Sequence, residues 1–146
     1  MSAVAVSRKL GGRGVLRRTV SSDLDLAETV RAGLPSAALD HILEELREYL
    51  VSNAQVYELV GSARTLQRKR STKERLSPGE SDRLVRFARM IVRAEEAIGD
   101  EPKALRWLVT PNRALEGERP LELLDSDAGT VAVDQVLGRI EHGIFS

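Results

Sequence analysis

A chain of 146 residues is the size of one domain, or of one domain with a small appendage. Apolar residues make up 42%, enough for a core, but aromatics only 3%, so leucine, valine, isoleucine and alanine must fill it. The 22 basic and 22 acidic residues exclude a uniformly basic coat while permitting a segregated patch. The lack of cysteine excludes disulfides, thiolate zinc sites and a cysteine nucleophile.

Residues 1–20 hold Arg8, Lys9, Arg13, Arg17 and Arg18 with no acidic residue among them. Gly11, Gly12 and Gly14 raise the entropy cost of ordering. The expectation is a flexible basic arm, whose sharper use would be to touch phosphate. It has no continuous apolar stretch of the kind a secretory signal needs. No apolar run in the chain approaches the ~18 residues of a membrane span, so the soluble cytoplasm is the expected location.

From Ser22 the pattern turns helical. Ser21 or Ser22 can cap a short helix with Leu24, Ala27, Val30 and Leu34 on one face. Pro35 suits the first turn of a second helix, whose buried stripe is Leu39, Ile42, Leu43, Leu46 and Leu50. Ser52 or Asn53 can cap a third helix running to Val60, filled by Ala54, Val56, Tyr57, Leu59 and Val60. Gly61 is expected to end it in the left-handed conformation, and Ser62 to cap a fourth helix from Ala63.

Ser77-Pro78-Gly79-Glu80 reads as a capping box with proline at the first helical position. The longest helix should follow, to about Ile98, with Leu84, Phe87, Ala88, Ile91, Val92 and Ile98 inward. Gly99 stops it. Asp100 caps a short helix carrying Leu105, Trp107 and Leu108, which Pro111 breaks. A turn-rich link with Asn112, Gly117 and Pro120 leads to a short helix around Leu121–Leu124. Asp127 is expected to cap the last helix, where Val133, Val136, Leu137 and Ile140 share a face. No period-two alternation persists, so the chain is expected to be all-α.

Two segments carry candidate function. Ser52–Lys73 reads helix, glycine turn, helix, and the second helix holds Arg64, Thr65, Gln67, Arg68, Lys69 and Arg70. Such a helix could lie in the major groove, with arginine and glutamine reading base edges and the other cations meeting phosphates. An ordinary solvated face would carry the same residues. Charge segregation favours the DNA reading, because Arg64, Arg68, Lys69, Arg70, Lys73 and Arg75 oppose only Glu74 locally, while the chain after Glu95 is acidic. Specific recognition by one short helix normally needs two copies, so a homodimer goes with that reading.

The second segment is the C-terminal forty residues. Trp107, the single tryptophan, suits either a core anchor or a partner-facing hot spot. His142 has no second histidine, cysteine or carboxylate at recognisable metal spacing, and no metal or cofactor is expected. Ile144-Phe145-Ser146 continue past Gly143 as an apolar tip. Such an end is either frayed or folded back, or it is a plug for a pocket on another protein. Phosphate-binding glycine loops, nucleophile triads and paired metal histidines are all missing, so no catalytic residues are assigned.

The run Trp107-Leu108, Pro111-Asn112-Arg113-Ala114-Leu115, Pro120-Leu121-Glu122-Leu123-Leu124, Gly129, Val136-Leu137 and Arg139-Ile140-Glu141-His142-Gly143-Ile144-Phe145 resembles the toxin-binding domain of Xre/MbcA/ParS-type antitoxins. Val60–Arg68 and Leu76–Leu84 resemble their Xre-like helix-turn-helix portion. Glu116-Gly117 stands where a Gly-Gly pair is common. The resemblance implies an Xre-like helix-turn-helix and dimerisation domain over 21–99 and a small helical toxin-binding domain over 100–146. It implies a cognate RES-domain toxin that consumes NAD⁺, either degrading it or transferring its ADP-ribose to a protein. Promoter DNA is the second implied partner. Trp107, Leu108, Pro111, Asn112 and Leu124 would build a platform. Arg139, Ile140, Glu141, His142, Gly143, Ile144, Phe145 and Ser146 would block the toxin's NAD⁺ cleft.

Overall fold

Short capping signals set the helix boundaries in the computed structural model, which describes residues 2–143. The chain divides at Arg89/Met90 into two units. The first holds α1 (Ala3–Lys9), α2 (Gly12–Leu16), α3 (Asp23–Ala32), α4 (Ser36–Leu46), α5 (Asn53–Val60), α6 (Ala63–Thr72) and the first half of α7 (Pro78–Ile98). The second holds the rest of α7, α8 (Glu101–Leu108) and α9 (Asp127–Glu141), with 3-10 turns at Arg113–Leu115 and Pro120–Asp125. Among the described residues the extended pairing is a lone antiparallel bridge between Pro35 and Arg75. The division falls ten residues before the boundary expected at 99/100. Gly99 does end α7 with φ 84°, but a helix end is not a unit boundary here.

The first twenty residues are not a flexible arm. Ser2 caps α1 by accepting from the Ala5 N–H at 3.1 Å, and Val6, Leu10 and Leu16 are buried. Lys9 pairs with Glu45 of α4 at 2.9 Å. The glycines read as floppy make a corner: Gly11 and Gly12 have φ of 105° and 68°, and a β-carbon on Gly11 would lie 2.4 Å from Val15. Spaced around a turn, these few apolar residues escaped a periodicity reading.

Ser22 caps α3, but the buried positions are Leu26 and Thr29, while Leu24 is exposed. Leu34 lies beyond this helix, which Gly33 ends at φ 86°. A β-carbon on Gly33 would sit 2.4 Å from the Leu76 carbonyl oxygen, so only glycine lets these strands of chain close. Leu34 is fully buried; its carbonyl accepts from the Leu76 N–H and its N–H donates to the buried Ser81 hydroxyl, both at 2.8 Å. Pro35 is the cap of α4 rather than its first residue. The stripe of α4 is Leu39, Ile42, Leu43 and Leu46 as the periodicity predicts; Leu50 falls off it. A 3-10 turn over Arg47–Tyr49 breaks the period and leaves Leu50 left-handed at φ 59° and 93% exposed.

In the second unit, α8 buries Ala104, Leu105 and Leu108, and α9 buries Val133, Val136 and Leu137. Ser126, not Asp127, caps α9, accepting from the Gly129 N–H at 3.0 Å. Gly129 is a close-approach glycine. A β-carbon there would lie 1.9 Å from the Leu123 carbonyl oxygen, so α9 can pack on the Pro120–Asp125 turn only because position 129 has no side chain. Among the described residues no helix is long and apolar enough to cross a membrane.

Candidate functional site

The helix-turn-helix is α5, Gly61-Ser62 and α6. Ser52 forms a reciprocal capping box with Gln55 at the start of α5, and Ser62 caps α6. Val56, Tyr57, Leu59, Val60 and Leu66 are buried, so the pair is fixed by its apolar inner face. Gly61 is extended (φ 172°, ψ −156°) rather than left-handed. A β-carbon there would meet the Glu80 side chain at 3.3 Å, so the glycine leaves that carboxylate room.

The six cations and polar residues singled out on α6 split into two groups. Arg64, Gln67 and Arg68 are exposed and, at spacings of three and four, share one face; Thr65 is half-buried beside them. Among the described residues the Arg68 guanidinium reaches only the exposed Glu74, at 3.4 Å. Thr72 also donates to Glu74, at 2.7 Å, and that hydrogen bond, ahead of the Arg68 charge, holds the Glu74 carboxyl below its ordinary range. Lys69 and Arg70 turn back into the protein. Lys69 donates to Glu80 Oε1 at 2.6 Å. Arg70 is paired with Asp40 on α4 and donates to the Tyr57 hydroxyl at 2.5 Å. Burial opposes the charge on Arg70, but Asp40 and Tyr57 outweigh it and raise its pKa. These two cations brace α6 instead of extending its outer face.

Glu80 is the residue that sequence reasoning undervalued. As expected, its backbone N–H donates to Ser77 Oγ (3.1 Å), and its carboxylate accepts from the Ser77 N–H (2.8 Å). The same Oε1 also takes the Lys69 ammonium. Burial pushes its carboxyl up, yet Lys69 and Ser77 together leave it below the usual carboxylate value. The Ser-Pro-Gly-Glu motif signals the cap. Nothing in the local sequence signals the partner eleven residues upstream.

The C-terminal candidates occupy the second unit, in three settings. Leu108 and Leu124 are buried, and Trp107 is half-buried, so they form its body. Pro111 is exposed. Asn112 organises the loop that follows: its side chain accepts from the Ala114 N–H (2.9 Å), its carbonyl from Leu115 and Gly117, and its N–H donates to Glu118. Within that loop Glu116 is left-handed (φ 57°) beside Gly117 (φ 84°), which accounts for glycine being common at both positions of such a pair.

Arg139 and His142 are exposed, Ile140 is half-buried, and Gly143 turns the chain at φ 73°. Glu141 is exposed but engaged: Arg93 donates to it at 2.8 Å and to Asp134 at 2.9 Å. One guanidinium therefore holds α9 at two points two turns apart. The Arg93 hydrogen bond keeps the Glu141 carboxyl below its ordinary range, burial opposing it. Arg93 and Asp134 carried no sequence signal, since a pairing 41 residues apart in sequence leaves no local pattern. Ile144, Phe145 and Ser146 lie outside the described residues.

Two family models match the chain. Residues 93–143 match the antitoxin Xre/MbcA/ParS C-terminal toxin-binding domain, and residues 25–89 match the antitoxin Xre-like helix-turn-helix domain. The chain is similar to an antitoxin Xre of Yersinia enterocolitica, 36% identical over 98 residues, which cover 66% of each protein. It is similar to an antitoxin Xre of Photorhabdus laumondii, 33% identical over 78% of this chain and 87% of the relative. A Prs ADP-ribosylating antitoxin of a Sphingobium species is 24% identical over 86% of this chain and 84% of that protein.

Proposed function

The chain belongs to the Xre antitoxin family, and from that premise we propose that it neutralises a RES-domain, NAD⁺-consuming toxin by seating its carboxyl end in the toxin's NAD⁺ cleft. The observation that carries this reading is the fastening of α9. Arg93 holds the helix through Asp134 and Glu141, so the chain leaves Gly143 from an anchored last turn. An apolar pair, Ile144-Phe145, comes next in the sequence. Anchoring lowers the entropy lost when the tip is captured, which is preorganisation. Trp107, Leu108 and Leu124 maintain the body beneath it, while Pro111, Arg139 and His142 are free to touch the partner. The name of the Sphingobium relative, which ties that protein to ADP-ribosylation, fits a toxin that uses NAD⁺.

The same chain, as a homodimer, binds its own promoter through Arg64, Gln67 and Arg68. The exposure of that face and the inward bracing of Lys69 and Arg70 support this second activity. A regulator that used its C-terminal unit only to dimerise is the competing reading.

Truncation separates the two. Burying an isoleucine and a phenylalanine contributes roughly 1.5–3 kcal/mol each. Deleting residues 144–146 should therefore weaken toxin binding by about 100-fold or more. Calorimetry with the purified toxin, together with growth on toxin co-expression, reads the effect. Undiminished affinity and protection would sink the plug, and loss of the dimer with no toxin affinity in the intact chain would favour the regulator.

A further inference from the structure

The basic N-terminal segment is ordered, and its cations help build a cleft that the helix-turn-helix reading leaves unexplained. A cleft of about 450 Å³ lies in the first unit. Its walls come from the end of α2 with Arg17, the start of α4 at Pro35–Ala37, and the end of α6 with Arg70, Lys73 and Arg75. Four cations thus meet one carboxylate, Asp40, and that carboxylate is already paired with Arg70. Arg75 donates one nitrogen to the Gly33 carbonyl at 2.8 Å and keeps other donors. The side chains of Arg17 and Lys73 have no hydrogen bond or ion pair among the described residues. A second recess shares Arg17 and Arg75 with the first and adds Arg18, which is paired with Glu28 at 3.6 Å.

Both free cations sit in unfavourable backbone. Arg17 and Lys73 close α2 and α6 in the left-handed conformation, each at φ 58°, where a side chain costs roughly 1–2 kcal/mol. Glycine would relieve that strain at either position, yet each carries a long cation aimed at the same cleft. The first turn of α4 lines it at Pro35–Ala37 and has no side-chain cap, so the positive end of that helix adds to the charge there. An anion is the ligand that this set of groups would bind.

We propose that this cleft is a phosphate clamp: Arg17 and Lys73, with Arg75 behind them, grip a phosphodiester of duplex DNA beside the end of α6. The proposal rests on the DNA reading above and adds a contact to it. Phosphate contacts carry no base information, so they fix the register of the reading helix without altering its sequence preference. The N-terminal helices then act as part of the DNA-binding unit, outside the segment that matches the helix-turn-helix model, residues 25–89.

The test is fluorescence anisotropy of the full chain with duplex promoter DNA and an unrelated duplex, between 50 and 300 mM salt (roughly the range in which counterion release is read). Arg17→Gln and Lys73→Gln each remove a charge while keeping a long side chain, and a thermal melt confirms folding. If the clamp forms, each variant lowers the salt slope by about 0.9, and the pair by nearly twice that. Affinity falls several-fold and equally on both duplexes. Wild-type slope in both variants overturns the clamp while leaving DNA binding intact. A loss confined to the promoter duplex also overturns it, because the cations would then be reading bases. If the unaltered protein binds neither duplex, the clamp and the DNA reading fall together.

Discussion

Single positions in this protein are decided by crowding more than by chain flexibility. Gly11, Gly33, Gly61 and Gly129 all lie where a β-carbon would meet another group, and at Gly33 and Gly129 that group is a backbone carbonyl that cannot swing away. At Gly129 the gap would be 1.9 Å, so α9 would have to lift off the turn carrying Leu121 and Leu124. Gly129→Ala should cost about 3 kcal/mol, the upper part of the overpacking range, and lower the melting temperature by about 6–12 °C. A melt within about 1 °C of wild type would mean the packing is looser than this geometry. In the sequence alone such a glycine looks like any other inside a helix pattern, because its reason is a neighbour brought up by the fold.

At the scale of elements, what was legible depended on whether the signal is local. Ser22, Ser52, Ser62, Ser77 and Asp100 all mark helix starts that the structure keeps, since a cap is a contact three residues long. The stripes of α4 and of α7 over Leu84, Phe87, Ala88, Ile91 and Val92 were legible for the same reason, while Ile98 is half-buried. Leu50 was misread because a 3-10 turn shifts the period after Leu46. Helices α1 and α2 were missed because seven and five residues give too short a window for periodicity. The partners of α6 were invisible: Lys69 to Glu80 and Arg70 to Asp40 span 11 and 30 residues.

The Lys69–Glu80 contact ties α6 to the start of α7, and its strength is linked to pH. Glu80 has a folded-state pKa below the unfolded carboxylate value, so its stabilisation is complete above about pH 4.3 and is lost as pH falls through the folded value. Glu80→Gln keeps the cap oxygen but removes the charge, and should cost about 1–2 kcal/mol near pH 7. Denaturant titration should show that difference beginning to shrink below about pH 4.3 and vanishing once pH is below the folded-state value, where wild-type Glu80 is neutral too. A difference that stays constant into acid would assign the loss to shape rather than charge.

For the whole molecule, the two family matches and the two units fall nearly together, with the change at residues 89–93. The family and the all-α class were legible in the run from Trp107 to Gly143, because that stretch fixes its own turns through Asn112, Gly117 and Gly129. The division between units was not legible, because it falls inside one uninterrupted helix, α7. The outer face of α6 and the C-terminal segment lie in different units, so damage to one should leave the other's binding intact. Arg64→Ala combined with Arg68→Ala should weaken promoter binding by an order of magnitude or more and leave toxin affinity within about twofold, since neither arginine braces the fold. A parallel loss of toxin inhibition would show that DNA binding and neutralisation are coupled.

The Arg93 clamp also bears on how such an inhibitor is switched off. It grips α9 at Asp134 and Glu141, and both contacts lie before Gly143 in the chain. On the plug reading, a protease that removed Ile144 and Phe145 would disarm the protein without touching those contacts. What remained would be two intact folded units, still able to sit on a promoter while no longer restraining the enzyme next door.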